Sequence, residues 1–524
     1  MSASIKAHQR LLRSSSVVSF MTLLSRILGF VRDVIIARVF GAEGATDAFF
    51  VAFKIPNFMR RLFAEGAFSQ AFVPVFNEVK ATQDSAALKE TLSAVLGTLT
   101  GILSLVTTLG IAAAPLIIQV FAPGFDNDAE RYALATEMLR ITFAYLLLIS
   151  LTAFAGGILN SYEQFAVPAF TPVFLNICLI GCAWLLSPML AEPITALAWG
   201  VLLAGIVQLV FQIPFLIRLK LLPKPRWQWS HPRVQQVKRL MIPALFGTMI
   251  VQINLALDTI IASFLQTGSI SWLYYADRLV EFPLGLFGIA LATVILPHLS
   301  QQHAKADQAA YSNTLDWALK VGLLITLPAA AGLLLLAQPI LITLFEYGEF
   351  DFRDSLMSAW SLWAYTLGLP AFVLIKILAP GFFAQQRPKE PVRIGIIAMV
   401  INMVMNILIV VPMLKLDFVA PHAGLALATS LSAWIHALML YVKLKGMGFT
   451  LNTGWLRLSL QISMAVIVMS ALLLWLTPVA IVWSDWSFIT RSLYLGLFTL
   501  TGGAAYFVTI WLCGFRPRHL HLPG

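Results

Sequence analysis

Long apolar stretches alternate with short polar loops along the whole chain. A helix needs roughly 20 residues to cross the hydrocarbon core of a bilayer. An even number of spans places both termini on the same side of the membrane. The pattern predicts 14 membrane-spanning helices, near residues 17–39, 46–76, 91–121, 133–158, 166–187, 193–218, 238–265, 270–299, 313–345, 357–385, 392–413, 422–445, 456–478 and 487–513.

Composition and charge agree with this class of protein. Of the 524 residues, 59% are hydrophobic and 11% are charged, whereas soluble domains carry about 25% charged residues. We therefore predict an all-α polytopic membrane protein. The net charge of +10 does not indicate nucleic acid, because the basic residues collect in alternate loops, most densely in 218–239. The same bias, with Lys6, Arg10 and Arg13 before the first span, predicts that both termini are cytoplasmic.

The two halves of the chain resemble each other at an offset of 223 residues, which places Pro74 on Pro297 and Pro168 on Pro391. We predict two six-helix lobes related by a pseudo-two-fold axis along the membrane normal, with two extra C-terminal helices. Chance alignment of leucine-rich helices is the alternative. The predicted domains are an N-terminal lobe (1–218), a basic cytoplasmic linker (219–237), a C-terminal lobe (238–446) and a final helix pair with its tail (447–524).

Charged residues are frequent between Ser25 and Glu65, although most of this segment lies in predicted spans. One charge at the middle of a membrane helix costs about 2.5–3.5 kcal/mol. Half a dozen charges facing lipid would therefore cost more than the typical net stability of a protein. We expect these side chains to face a water-filled central cavity or one another, as in a transporter.

Helical spacing groups the polar residues of three spans on common faces. Mid-span arginines in both halves indicate an anion site, because a guanidinium binds phosphate bidentately. The alternative is a set of salt bridges that hold one conformation. The groups are Arg26 and Asp33 beside Arg32 in the first span, Asp47, Lys54, Arg61 and Glu65 flanked by Asn57 and Arg60 in the second, and Ser271, Tyr274, Arg278, Glu281 and Gly285 in the eighth.

A second polar cluster combines Asp258 of the seventh span with Asn402 and Asn406 of the eleventh. Carboxylate and amide oxygens suit Na⁺ or another hard cation, so we predict a candidate Na⁺ site, with a proton on Asp258 as the other coupling ion. Amides that hydrogen-bond between helices are the alternative. We expect no other cofactor. The chain has no DDxxD, HExxH, GxSxG or P-loop pattern, so we expect a transporter rather than an enzyme.

Four motifs carry a family resemblance: SRILGFVRDVIIARVFGA, ATDAFFVAFKIPNFMRRLFAEGAFSQAFVPVF, GGILNSYEQFAVPAFTPVFLN and SWLYYADRLVEFPLGLFGIALATVILPHLS. They closely resemble the MurJ (MviN) lipid II flippases of the multidrug/oligosaccharidyl-lipid/polysaccharide exporter superfamily. The resemblance implies two six-helix lobes around a central cationic cavity. It also implies transport of the undecaprenyl-diphosphate-linked peptidoglycan precursor, lipid II, from the cytoplasmic to the periplasmic leaflet of the bacterial inner membrane.

The resemblance also assigns residues. Matching positions imply that Arg26, Arg32 and Arg278 hold the diphosphate and that Asp47 and Arg60 shape or gate the cavity. The lipid tail is expected in a groove made by the last two spans. The family's cavity-lining positions match Ala37, Asn57, Ser271 and Glu281.

Three other functions compete with this interpretation. An exporter of drugs or of another polyprenyl-linked oligosaccharide would have the same fold, although a pore for cationic drugs should offer acidic residues. A membrane enzyme acting on polyprenyl phosphates would need acidic metal ligands. A scaffold for cell-wall synthesis proteins gives no reason for arginines in a pore, although such proteins remain candidate partners.

Overall fold

The computed structural model describes residues 2–61 and 68–516. Within these ranges the chain is helical and contains no strand. The helices of the first half are α1 Ser2–Phe40, α2 Gly44–Arg60, α3 Phe68–Thr82, α4 Ser85–Ala112, α5 Ala114–Phe121, α6 Ala129–Phe143, α7 Tyr145–Ser161, α8 Ala166–Phe170, α9 Pro172–Gly181, α10 Thr195–Arg218 and α11 Pro232–Ser263.

The second half continues the series. It has one π-helical turn, Leu284–Gly288, between its first two helices. The helices are α12 Ser269–Pro283, α13 Ile289–Ala304, α14 Gln308–Leu335, α15 Ala337–Phe345, α16 Phe352–Ala384, α17 Lys389–Lys415, α18 His422–Gly446, α19 Trp455–Leu476, α20 Ala480–Ser484 and α21 Phe488–Leu512.

The helices confirm the predicted all-α polytopic class. Each predicted span falls on one helix or on consecutive helices. Eleven helical segments of the described residues are long and apolar enough to cross a membrane. The total of 14 spans stays a prediction.

The chain divides into two compact units, Met1–Ile270 and Ser271–Gly524. We call them unit 1 and unit 2. The four domain boundaries that the sequence predicts stay predictions, since they rest on the sequence repeat and on charge.

The 223-residue repeat reappears in the way that helices begin. Asp84 caps α4, and Asp307, 223 residues later, caps α14; each carboxylate accepts a 2.9 Å hydrogen bond from the amide three residues on. Asp128 and Asp351 cap α6 and α16 in the same way, at 3.1 and 2.8 Å. An aspartate at this position satisfies an amide that the first helical turn leaves without a partner. The same local signal therefore starts corresponding helices in the two halves.

Each unit has its own apolar core. In unit 1, phenylalanines of α3 and α7 pack together, with the rings of Phe72 and Phe154 5.0 Å apart. In unit 2, α13, α14, α16 and α18 share a core, and the Tyr311 hydroxyl donates to the carbonyl of Gly381 at 2.8 Å.

Arg491 of α21 fastens the C-terminal helix pair, α19 and α21, to the end of α15. Its guanidinium donates to the carbonyls of Trp483 and Ile342, both at 3.1 Å, and lies 3.5 Å from the Glu346 carboxylate. The indole of Trp483 donates to the Thr343 hydroxyl at 2.9 Å. These contacts give a buried arginine, 6% exposed, polar partners on every side.

Candidate functional site

Two arginines of α1 that the sequence assigned to the anion site differ in their surroundings. Arg26 is exposed and makes no hydrogen bond or ion pair with any residue that the structure describes. Arg32 is only 8% exposed. It donates to Asp33 Oδ1 through Nε at 3.0 Å and Nη2 at 2.6 Å, and to Asn176 Oδ1 of α9 through Nη1 at 3.1 Å. Arg26 is thus open to a ligand, whereas Arg32 is held inside unit 1.

Asn176 joins α1 to α9 at this point. While its side-chain oxygen accepts from Arg32, its amide donates to the carbonyl of Ser25 at 3.0 Å. Asp33 is 1% exposed, and Arg32 forms a buried ion pair with it. Removing one partner of a buried ion pair costs about 3–5 kcal/mol, because the other charge stays buried. Arg32 therefore has a structural role in addition to any contact with a ligand.

Asp47 lies in the first turn of α2 and is 1% exposed. Its Oδ2 accepts a 2.8 Å hydrogen bond from the amide of Gly268 and lies 3.8 Å from Nη1 of Arg131. Arg131 also lies 3.6 Å from the Asp128 carboxylate and 4.2 Å from the ring centre of Phe125. Asp47 is therefore enclosed by protein groups.

The turn that Asp47 holds leads directly into α12. Gly268 has φ +93°, a conformation that favours glycine, and α12 begins at Ser269. The nearby 123–127 turn packs closely against α11: a Cβ on Gly124 would lie 2.2 Å from the carbonyl oxygen of Ser263. Asp47 thus fixes the start of the helix that carries Arg278.

Three further polar residues of α2 contact one another or α11. Lys54 donates to the Thr259 hydroxyl at 2.5 Å. Arg60 donates to Asn57 Oδ1 through Nε at 3.0 Å and Nη2 at 2.7 Å, so these two predicted residues are adjacent and half-buried. Glu65 lies outside the described residues.

In unit 2, α12 brings together two predicted residues. Arg278 Nη1 lies 2.5 Å from Glu281 Oε2, and its guanidinium is 4.7 Å from the ring centre of Tyr274. The side chain of Arg278 is 29% exposed and that of Glu281 is 48% exposed. Arg278 therefore keeps an open side, with a carboxylate beside it that would compete with an anionic ligand.

The four predicted cavity-lining residues fall into two classes. Asn57 is half-buried and Glu281 is exposed, whereas Ala37 and Ser271 are both 0% exposed. In this conformation only the first two can contact water. That all four line one cavity stays a prediction.

In the candidate Na⁺ site, Asn402 hydrogen-bonds to Asn406 on its own helix and to two residues of α18. Asn402 donates to the hydroxyls of Thr429 at 3.2 Å and Ser432 at 3.3 Å, and accepts from the amide of Asn406 at 3.2 Å. These bonds join α17 to α18, as the helix-packing alternative requires. Asp258 lies on α11 in unit 1 and is half-buried. The cation site stays a prediction.

Sequence reasoning missed three residues of interest. Arg131 looked like a loop charge, and Asn176 was one amide within an apolar span. Lys376 is a single lysine within α16, and one lysine makes no periodic pattern of charge.

These features define a class of protein: a polytopic membrane transporter whose spans carry exposed arginines. The protein family follows from comparison with known proteins.

The chain belongs to the lipid II flippase MurJ family, whose profile matches residues 36–494. It is 46% identical over 527 residues to a probable lipid II flippase MurJ of Vibrio cholerae serotype O1, covering 98% of each chain. A solved lipid II flippase MurJ in an inward closed conformation superposes with a TM-score of 0.76 at 29% identity, covering 94% of this chain and 99% of that one. An inward-facing multidrug resistance MATE family transporter of the MOP superfamily shares the fold, with a TM-score of 0.67 at 13% identity, covering 82% of this chain and 97% of that one.

Proposed function

We propose that this protein is a lipid II flippase, which moves the undecaprenyl-diphosphate-linked peptidoglycan precursor from the cytoplasmic to the periplasmic leaflet of the inner membrane. The observation that carries the proposal is Arg26, an exposed guanidinium in a membrane helix with no partner among the described residues. Such a side chain is costly to keep in a membrane unless an anion or water meets it.

Arg26 and Arg278 hold the diphosphate. Arg32 also binds it when the ion pair between Arg32 and Asp33 breaks. A planar guanidinium can donate two parallel, charge-assisted hydrogen bonds to one phosphate group. Glu281 accepts from Arg278 at rest, which supplies a partner for the arginine when the substrate has left. Asp47 and Arg60 shape the path rather than hold the ligand, in keeping with the burial of Asp47.

Transport follows alternating access between inward-facing and outward-facing states, with both termini cytoplasmic. Spans 13 and 14, here α19 and α21, form the groove that guides the lipid tail. Arg491 keeps this pair attached to α15, so the groove moves with unit 2. Proteins of cell-wall synthesis are the proposed partners.

Resetting of the transporter uses the membrane potential, with a contribution from a cation at Asp258, Asn402 and Asn406. The potential provides about 2.3 kcal/mol per charge per 100 mV. A cation contributes only if it binds one conformation better than the other, and a coupling of 1–3 kcal/mol corresponds to roughly 5–150-fold.

The deciding experiment uses purified protein in liposomes that contain labelled lipid II in the inner leaflet. A membrane-impermeant reagent that modifies the lipid II headgroup then measures how much reaches the outer leaflet. We expect rapid equilibration with the unmodified protein and none with Arg26→Ala inserted at equal density. Equal rates with unmodified protein and with empty liposomes would refute the function. In that case a lipid-linked oligosaccharide of different headgroup and a cationic drug would be tested in the same vesicles.

A further inference from the structure

Lys376 lies in the half of α16 that the predicted topology makes cytoplasmic. It is exposed, and it makes no hydrogen bond or ion pair with any residue that the structure describes. It lies eight residues before the helix ends at Ala384, or about 12 Å along the axis. That distance exceeds the reach of a four-carbon stem, so the ammonium cannot simply extend to the membrane surface.

The neighbours of Lys376 show which side of α16 it occupies. A Cβ on Gly288 would lie 3.7 Å from the Lys376 Cγ and 3.5 Å from Val373. Gly288 ends the π-helical turn that follows α12. The stem of Lys376 therefore runs along the backbone at the point where α12 passes into α13.

The opposite side of α16 is apolar. Leu367 is nine residues before Lys376, which on a helix is a rotation of about 180°, and it is 53% exposed. Between the two faces, Ile377 packs on α14: a Cβ on Gly322 would lie 2.5 Å from its Cδ1. The helix thus presents one face suited to lipid and another that carries a cation beside the π-helical turn after α12.

Lys376 continues the charged face of α12 toward the end of the bundle predicted to be cytoplasmic. From Arg278 to Gly288 is ten residues, or about 15 Å. Arg278 has Glu281 beside it at 2.5 Å, whereas Lys376 has no carboxylate partner in the described chain. An ammonium without a carboxylate partner attracts an incoming anion more strongly than Arg278 does. Its three N–H donors can bond an anion from many directions.

We propose that Lys376 is an anion-binding residue of the transport path, which contacts an acidic group of the lipid-linked substrate before that substrate reaches Arg278. The proposal rests on the proposed flippase function. The acidic group is either the diphosphate or a carboxylate of the peptide on the headgroup; both are oxyanions that a lysine binds.

The first test compares flipping by the unmodified protein and by Lys376→Gln at equal density in liposomes. We expect Lys376→Gln to lower the rate by about tenfold or more, as loss of one charge-assisted hydrogen bond implies, and Lys376→Arg to retain most of it. Repeating the comparison with a lipid-linked disaccharide diphosphate that lacks the peptide separates the two sources. The ratio to compare is the rate of the unmodified protein divided by the rate of Lys376→Gln. If this ratio is the same for both substrates, Lys376 binds the diphosphate. If the ratio falls to about one only for the substrate without the peptide, Lys376 binds the peptide carboxylates.

A chemical test shows where the side chain points. In a background without Cys178, Cys182 and Cys513, Lys376→Cys should react with a membrane-impermeant cationic thiosulfonate and regain transport, whereas an anionic reagent should not restore it. Leu367→Cys on the opposite face is the matched control and should stay unreactive.

The inference fails if Lys376→Gln flips both substrates at the unmodified rate while Arg278→Ala is inactive, or if Lys376→Cys is as unreactive as Leu367→Cys. An unmodified protein that flips neither substrate overturns the flippase function instead, so the two failures are distinct.

Discussion

The carboxylate of Asp47 accepts a hydrogen bond at 2.8 Å from the amide of Gly268, 221 residues away in the chain. Since Gly268 immediately precedes α12, this bond ties the first turn of α2 to the start of the helix that carries Arg278. Arg131, 3.8 Å away, balances the charge of Asp47. These two contacts give Asp47 a structural role at this turn, and its predicted role at the substrate path stays a prediction.

Substitution of Asp47 should separate the hydrogen bond from the charge. Asp47→Asn keeps an oxygen that accepts from Gly268 but leaves Arg131 less balanced, so we expect reduced flipping with near-normal abundance. Asp47→Ala removes both contacts and should abolish flipping and lower the melting temperature. Flipping rates and thermal unfolding of the purified variants give the two readouts.

The matched control for these variants is Asp126→Asn, which changes an exposed carboxylate on the adjacent 123–127 turn. If Asp47→Ala transports and unfolds like this control, the contacts of Asp47 with Gly268 and Arg131 are not important for function.

The three arginines proposed to hold the diphosphate should each require charge and fork geometry. Ala at Arg26, Arg32 or Arg278 should abolish complementation in cells depleted of the native protein, and Lys should restore it only in part. Growth is scored beside the amount of each variant in the membrane. Normal insertion and normal growth of the Ala variants would eliminate the anion site.

Arg32 needs an additional control because it neutralises buried Asp33. Arg32→Ala alone should lose about 3–5 kcal/mol of stability through the stranded carboxylate. In the double variant with Asp33→Asn we expect abundance to recover while growth does not. Recovery of both would show that Arg32 acts only as the partner of Asp33.

Cysteine accessibility tests the proposed cavity. Cysteines at Asn57 and Glu281 should react quickly with a membrane-impermeant thiol reagent, because both positions are at least partly exposed. Cysteines at Ala37 and Ser271 should react slowly and only during transport, because both are 0% exposed in this conformation. The measurement is the labelling rate with and without substrate. Protection at all four sites under turnover would favour a sealed helix packing.

The candidate cation site is tested with Asp258→Asn, which keeps the shape of the side chain and removes its charge. We expect slower flipping and loss of any dependence on an imposed Na⁺ or pH gradient. Asn402→Ala serves as the comparison, since it removes bonds between α17 and α18 as well. If neither the substitution nor the gradients change the flipping rate, this cluster serves only to pack the helices together.

The ion pair between Glu78 and Arg233 should give the protein a pH-dependent stability. Arg233 Nη1 lies 2.6 Å from the Glu78 carboxylate, and with Gln236 it holds the pKa of Glu78 below its usual value of 4.5. A lowered pKa stabilises the folded protein above that value, and the contribution is lost as the pH falls through the lowered pKa. Arg233→Ala should therefore lower the melting temperature at neutral pH but not in acid.

Because both partners lie near the surface, the effect should be small and should weaken with salt. The charge-swapped pair Glu78→Arg with Arg233→Glu should recover it, and Glu192→Gln, which changes another exposed carboxylate of unit 1, should change nothing. A swap that is no better than Arg233→Ala would show that Gln236 or packing is responsible.

Sequence patterns predicted the fold well because a bilayer makes apolar length a direct signal of a helix. The repeat was also readable, since Asp84 and Asp307 start α4 and α14 through local capping bonds. Where helices break was harder to see. The predicted eighth span is interrupted by the Leu284–Gly288 π-helical turn.

Sequence spacing named the candidate residues but could not show most of their pairings. Spacing put Arg278 near Glu281, and the structure has them 2.5 Å apart. It could not show that Asn176 would accept from Arg32, or that Arg131 would face Asp47, because these contacts join distant parts of the chain. Lys376 was missed for the opposite reason: one lysine makes no periodic pattern.

The attachment of Arg491 to α15 sets an order for biogenesis. The carbonyl of Ile342 and the hydroxyl of Thr343 bond to partners that are synthesised 149 and 140 residues later. Until Arg491 and Trp483 leave the ribosome, the end of α15 must be covered by water or by the insertion machinery. A chain that stops after α18 would therefore reach the membrane with this end exposed, a mark by which quality-control proteases could recognise an unfinished protein.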